Sequence, residues 1–146
     1  MKSTKNPRKI AKIDIFSNKC YNYEIMPIKI GIDIVDINRI KTIANKRKNF
    51  VSKIFTAKEQ AYCASKKNPY PHYASRFAAK EAFLKAVPGW QGKLKWTELE
   101  VTNDPSGKPL ITLSKLSRFK LKGRQIELTI SHDRNYAIAL VTMEGR

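Results

Sequence analysis

The chain predicts an α+β fold, an antiparallel sheet packed with helices, on three observations. Ile28, Ile30, Ile32 and Ile34 alternate with Lys29, Gly31, Asp33 and Val35, the period of a strand. Helical patterns then cluster in the first half of the chain. Further alternating segments fill the second half, around Trp96–Thr102, Leu110–Leu113, Ile126–Ile130 and Tyr136–Met143.

Size and charge bound what such a fold can do. The 146 residues, 42% of them hydrophobic, suffice for one domain that buries roughly two-thirds of its unfolded surface. Twenty-nine Lys and Arg against 12 Asp and Glu leave a formal charge of +17, which calls for an anionic partner. Lysine outnumbers arginine, and a base-composition bias accounts for part of that excess. Two cysteines, Cys20 and Cys63, make no disulfide framework and read as free thiols of a cytoplasmic protein. No apolar run approaches the length of a membrane span.

Residues 1–27 read as a basic N-terminal extension. MKSTKNPRK is polar and proline-broken, the composition of a disordered arm. Ile10 to Phe16 alternates loosely, and Tyr21, Tyr23 and Met26 can add a short strand. The domain proper spans 28–146. On its first strand, Gly31 and Asp33 share a face, so a residue without a side chain leaves open space beside a carboxylate. Asp36 caps a helix running to about Asn45, with Ile37, Ile40, Ile43 and Ala44 as its apolar stripe. Lys46, Arg47 and Lys48 follow at its end, where cations suit the helix dipole. Phe50 to Phe55 is a short apolar segment. Thr56 and Glu59 form a capping box for a helix to about Ala64. A loop from Ser65 to Pro71 leads into the central helix around RFAAKEAFLKA, Arg76 to Ala86, which Pro88 and Gly89 stop. Phe77, Ala78, Glu81, Leu84 and Lys85 fall on one broad face of it. After the loop PGWQGK come a hairpin turning at Asp104-Pro105-Ser106-Gly107, a basic connector anchored by Leu116 and Phe119, and two antiparallel strands separated by a turn at Asp133–Asn135.

Four residues carry possible chemistry. Glu81 and Lys85 stand one helical turn apart; as a bare pattern this is an ordinary surface ion pair. Asp33 and Glu81 are both set among small or apolar residues, and two oxygen ligands with open positions suit Mg²⁺ bound to a phosphate compound. Lys85 can meet phosphate as a point charge or move a proton. His132 follows a strand, where packing against its neighbours explains it equally well. His72, in the loop, reads as a surface residue.

At these residues the chain resembles the holo-[acyl-carrier-protein] synthases, the small bacterial type of 4′-phosphopantetheinyl transferase. Three blocks carry the resemblance: IGIDIVDI from Ile30 to Ile37 with Arg39-Ile40, RFAAKEAF from Arg76 to Phe83 with Lys85-Ala86, and ISHD from Ile130 to Asp133 with Tyr136-Ala137 and Ala139. Phe55-Thr56 with Glu59, and Gly107-Lys108-Pro109, match lesser features. The resemblance implies the 4′-phosphopantetheinyl transferase fold and an enzyme of fatty acid biosynthesis. That enzyme moves 4′-phosphopantetheine from coenzyme A to a serine of an apo-acyl carrier protein and releases adenosine 3′,5′-bisphosphate. It further implies that Asp33 and Glu81 bind Mg²⁺, that Lys85 contacts the phosphates and assists proton transfer, and that His132, Arg76 and Lys80 serve the coenzyme. Arg39, with Lys46, Arg47 and Lys48 beside it, becomes the docking site for the acidic carrier. A homotrimer with active sites between subunits is implied as well. The chain departs from the family pattern at Lys29, at Ala57, and in the loop Val87 to Gly92, where a Gly-x-Gly is usual. The rival readings are a basic nucleic-acid-binding module, for which no motif is present, and an interaction protein of the same fold with weak catalysis.

Overall fold

A computed structural model describes residues 28–87, 89–90, 92–114, 121 and 124–144, and the backbone of 9–14 and 19–24. The expected arm at residues 1–8, Met26, Pro88, Gln91 and the connector anchors Leu116 and Phe119 lie outside the described residues. The strands are β1 (Lys9–Asp14), β2 (Lys19–Glu24), β3 (Ile28–Asp36), β4 (Leu99–Asn103), β5 (Pro109–Leu113), β6 (Ile126–His132) and β7 (Tyr136–Glu144). The helices are α1 (Ile37–Lys46), α2 (Phe50–Ile54), α3 (Ala57–Ala64) and α4 (Tyr70–Ala86). The α+β expectation holds. β3, β7 and β6 form an antiparallel sheet in that order, and β1–β2 and β4–β5 are antiparallel hairpins.

Local chemistry explains most boundaries. Asp36 caps α1 by accepting from the N–H of Asn38 at 2.8 Å and of Arg39 at 3.1 Å. The Thr56–Glu59 capping box forms as read. At the β4–β5 turn, Asp104 Oδ1 accepts from the N–H of Ser106 and Lys108, and Gly107 adopts φ 90°, open to glycine. Three boundaries differ from expectation. α4 starts at Tyr70, because Pro71 falls in the first turn, where a helix needs no N–H from it. Trp96–Glu98 is a 3₁₀ turn before β4 rather than strand. Ser131 and His132 are the last residues of β6 instead of following it.

The core lies between α4 and the three-stranded sheet, and its interface is built from small residues. Ala74, Ala78, Ala79, Ala82 and Ala86 of α4 are buried, as are Ala137 and Ala139 of β7. The buried stripe therefore runs along Ala74, Ala78, Ala82 and Ala86, and the broad face expected around Glu81 and Lys85 becomes its shoulder. Gly31 makes the closest approach. A Cβ there would stand 1.9 Å from the carbonyl oxygen of Ala82 and 2.6 Å from the amide nitrogen of Ala86. Backbone cannot yield as a side chain does, so α4 lies on β3 only because residue 31 has no side chain. Phe83, Leu99, Val101, Val141 and Met143 fill the space around this contact.

A buried ion pair ties the helices to the hairpin. Glu59 Oε2 accepts from Lys80 Nζ at 2.7 Å and from the Thr56 N–H at 2.7 Å, and its Oε1 accepts from the Val101 N–H at 3.0 Å. Lys80 Nζ also donates to the carbonyls of Ile54 at 2.7 Å and Trp96 at 3.0 Å. Both side chains are fully buried. A buried pair this well satisfied holds geometry, and breaking it exposes the full desolvation cost of the survivor.

The other face of the sheet is unusual. Ile28, Ile30, Ile32 and Ile34 are each at least half exposed. Opposite them on β7, Leu140 faces Ile32 and Ile138 faces Ile34, so a continuous apolar strip covers that face.

Gly31→Ala is expected to cost ~3 kcal/mol or more, since overpacking meets backbone on both sides; an unchanged urea midpoint would contradict this. Lys80→Met leaves Glu59 buried without its cation and should cost about 3–5 kcal/mol in the same assay.

Candidate active site

β3 and α4 cross at Gly31, and that contact places the functional side chains. Asp33 is two residues along the same face of β3. Ala82 and Ala86 fix the height of α4, which brings Glu81 and Lys85 to the strand edge. Asp33, Glu81, Lys85 and Arg39 line one cleft of about 410 Å³, whose other wall is apolar and made by Ile40, Ile43, Phe50 and Phe77.

The Glu81–Lys85 ion pair that the bare i, i+4 pattern allows is not made. Lys85 Nζ instead reaches across to Asp33 Oδ1 at 2.7 Å and donates to the Ile32 carbonyl at 3.0 Å. Lys85 is half exposed, whereas Asp33 is largely covered. The Glu81 carboxyl is held above its ordinary pKa, first by burial and then by the charge of Asp33, with Lys85 pulling the other way. Two carboxylates in one cleft with incomplete neutralisation favour a cation between them. Both donors are hard oxygens. Among the described residues no third His, Cys, Asp or Glu joins them. A metal held by these two residues would take its remaining ligands from water or substrate, a donor set that suits Mg²⁺.

The other expected site residues fall into three groups. Arg39 stands in the first turn of α1 at the cleft, and Lys46, Arg47 and Lys48 lie exposed at the far end of that helix. Arg76 and His132 lie outside the cleft lining and share a different neighbour, His72. The His72 and His132 rings are 6.0 Å apart, and Arg76 Nη1 donates to the His72 carbonyl at 3.4 Å. Lys80 is the correction. All its donors are engaged by Glu59, Ile54 and Trp96, and it has no exposed surface, so nothing is left to meet a phosphate. Sequence reasoning placed His72 on the surface; it is half-buried and central to the second group. A histidine one turn before Arg76 on an extended helix was the available signal, hidden by the assumption that Pro71 still belonged to a loop.

The family model for the 4′-phosphopantetheinyl transferase superfamily matches residues 29–141. The holo-[acyl-carrier-protein] synthase of Chloroherpeton thalassium is 42% identical over 120 residues, 80% of this chain and 98% of the relative. That of Chlamydia trachomatis is 43% identical over 117 residues, 79% and 98%. Among solved structures, the holo-(acyl-carrier-protein) synthase of Bacillus anthracis in complex with CoA (3′,5′-ADP) superposes with a TM-score of 0.70 at 32% identity, covering 84% of this chain and all of that one (100%). The Neisseria meningitidis synthase gives a TM-score of 0.72 at 32% identity, covering 80% and 98%. With its cleft, its matched blocks and these relatives, the chain belongs to the 4′-phosphopantetheinyl transferase superfamily, among the holo-[acyl-carrier-protein] synthases.

Proposed function

We propose that the β3–α4 cleft transfers the 4′-phosphopantetheinyl group of coenzyme A to a serine hydroxyl of an apo-acyl carrier protein. A phosphodiester forms and adenosine 3′,5′-bisphosphate leaves. The observation that carries this reading is the convergence of Asp33, Glu81 and Lys85 on one cleft in a chain of this family.

Asp33 and Glu81 are the residues to hold Mg²⁺. When bound, the ion neutralises the pyrophosphate and stabilises charge developing on the phosphoryl group under attack. Lys85, half exposed beside Asp33, would meet a phosphate oxygen of the coenzyme, where its compact charge would assist the same transition state. Arg76 and His132 serve the coenzyme from outside the cleft. Glu81, Lys85 or a water they hold takes the serine proton, since both side chains line the cleft.

The carrier docks along α1. Arg39 and Lys46 are seven residues apart, two helical turns or roughly 10 Å, and lie on one side of the helix. An acidic helix laid along them meets Arg39, Lys46, Arg47 and Lys48, and the formal charge of +17 speeds the encounter. A cytoplasmic setting belongs to this reading. Among the described residues no helix is long and apolar enough to cross a membrane.

The assembly is a homotrimer with its sites at subunit interfaces. The exposed Ile28, Ile30, Ile32 and Ile34 support it, because covering one isoleucine is worth about 1.5–3 kcal/mol and a monomer leaves four in water.

Transfer is read by mass spectrometry of an apo-carrier incubated with coenzyme A, Mg²⁺ and the protein. A phosphopantetheine mass increase is expected; its absence across several carriers would sink the reading. Glu81→Gln should slow transfer at least ~100-fold. Its stability should move the opposite way. The native protein holds the Glu81 proton to higher pH than the unfolded chain does, so stability falls as pH rises through that window. Removing the charge should leave the metal-free protein at neutral pH as stable as the parent or more so. Normal Mg²⁺-dependent rates in Glu81→Gln would refute its role. For the assembly, light scattering should give three chains for the parent and one for Ile32→Asp. A monomeric parent at micromolar concentration would exclude the trimer.

A further inference from the structure

Lys80 is a buried cation that the phosphoryl-transfer chemistry does not use. Its ammonium has three N–H donors, and each meets a different segment. One reaches Glu59 Oε2 at 2.7 Å, one the Ile54 carbonyl at 2.7 Å and one the Trp96 carbonyl at 3.0 Å. Both charged side chains are closed to solvent. A buried ion pair can often be replaced by apolar residues of similar volume at no loss of stability, so stability alone does not account for a charge here. What the ammonium adds is direction. Two carbonyls, 26 and 16 residues away in the chain, are held to one point. Each belongs to a segment that carries an aromatic contact of the cleft. Ile54 closes α2, and Phe50 opens it. Trp96 lays its ring on Phe77 at 5.4 Å and 17°, a stacked pair. Phe50 and Phe77 lie 6.4 Å apart and both line the cleft, whereas Lys80, Glu59 and Trp96 do not. A third link runs through Phe55: Lys80 Nζ stands 5.5 Å from its ring centroid, and that ring meets Phe50 edge-on at 6.2 Å.

We infer that Lys80 is a positioning residue for the carrier: with Glu59 as its counter-ion it fixes Ile54 and Trp96, and through them the Phe50 and Phe77 rings in the apolar wall of the cleft. The inference rests on the reading of α1 as the carrier's docking helix and extends it from charge to shape. Ile40 and Ile43, the rest of that wall, belong to α1, as does Arg39. A helix whose acidic side chains meet Arg39 and Lys46 therefore lays an apolar side chain near its serine against the wall. Asp33, Glu81 and Lys85, the groups for the pyrophosphate, stand on the other side of the cleft. The buried pair thus acts on one substrate and leaves the other untouched. Phe77 is held between Trp96 and Phe50, so its ring keeps one orientation. With Trp96 displaced, that ring is free to turn into the space left behind, and the wall loses its shape.

The test is steady-state kinetics of the full chain, with one substrate varied at saturation of the other. Lys80→Met and Trp96→Leu should each raise KM for the apo-carrier roughly tenfold, the scale of one lost aromatic contact. Both should leave KM for coenzyme A within about twofold of the parent. Trp96→Phe keeps a ring on Phe77 and should restore the parent's KM for the carrier. Trp96→Leu leaves the Lys80–Glu59 pair intact, so it carries the test if Lys80→Met fails to fold. A loss of folded protein by itself lowers apparent kcat and moves neither KM; that outcome in Trp96→Leu overturns the inference. A rise in KM for coenzyme A in place of the carrier overturns it too and returns Lys80 to the coenzyme. Tryptophan emission gives a readout independent of transfer. In Trp90→Phe, Trp96 is the one tryptophan left, and adding Lys80→Met should open it to acrylamide quenching. Unchanged quenching in that folded variant counts against the inference as firmly as unchanged KM values. A parent that transfers normally, with variants that keep its KM for the carrier, leaves the enzymatic reading standing and removes the positioning role alone. A parent that neither transfers nor binds a carrier removes both.

Discussion

The contact between Gly31 and the backbone of α4 is the constraint on which the rest of this molecule depends. A hypothetical Cβ at 1.9 Å from Ala82 O shows that helix and strand meet main chain to main chain. Such an approach requires small residues, and α4 supplies Ala78, Ala82 and Ala86 to it while β7 carries Ala137 and Ala139 farther along β3. Once the helix sits at that depth, the residues on its shoulder are no longer free to face water. Glu81 is drawn into a half-covered position in the cleft it shares with Asp33, and Lys85 meets the middle of the strand at Ile32 and Asp33. The tight packing and the unfavourable placement of a carboxylate are the same feature, seen from the core and from the cleft.

Lys80 and Lys85 show how one helix assigns opposite roles to one residue type. Five residues on an α-helix turn through about 500°, which leaves the two lysines roughly 140° apart. Lys80 points toward α2, α3 and the 3₁₀ turn, where Glu59 and two carbonyls consume its donors. Lys85 points to the strand edge, half in water, with a single carboxylate partner. The first charge is immobile and structural. The second is half in water, held by Asp33 and the Ile32 carbonyl alone.

The two faces of the sheet divide labour in the same manner. Gly31, Asp33 and Val35 face the helix and build the site, while the isoleucines face outward and supply a surface that calls for burial. Period-two geometry therefore puts the cleft and an exposed apolar surface on opposite faces of one strand of nine residues.

The amino-acid sequence by itself determined the fold class, the caps and turns, the identity of the carboxylates and the family blocks, because these depend on spacing and local hydrogen bonding. Asp36, the Thr56–Glu59 box and the Asp104–Gly107 turn act within four residues of themselves, so their chemistry is legible in one dimension. Only the tertiary structure decided which partners those residues take over long separations. Lys85 chooses Asp33, 52 residues away, over Glu81 one turn back. Glu59 caps its own helix and also seals Lys80, 21 residues on. His72 meets His132 because α4 begins earlier than its prolines suggested and β6 ends later. Periodicity specifies which side of an element a residue occupies. What stands opposite is settled by how closely two backbones can approach, and here a glycine at position 31 sets that distance.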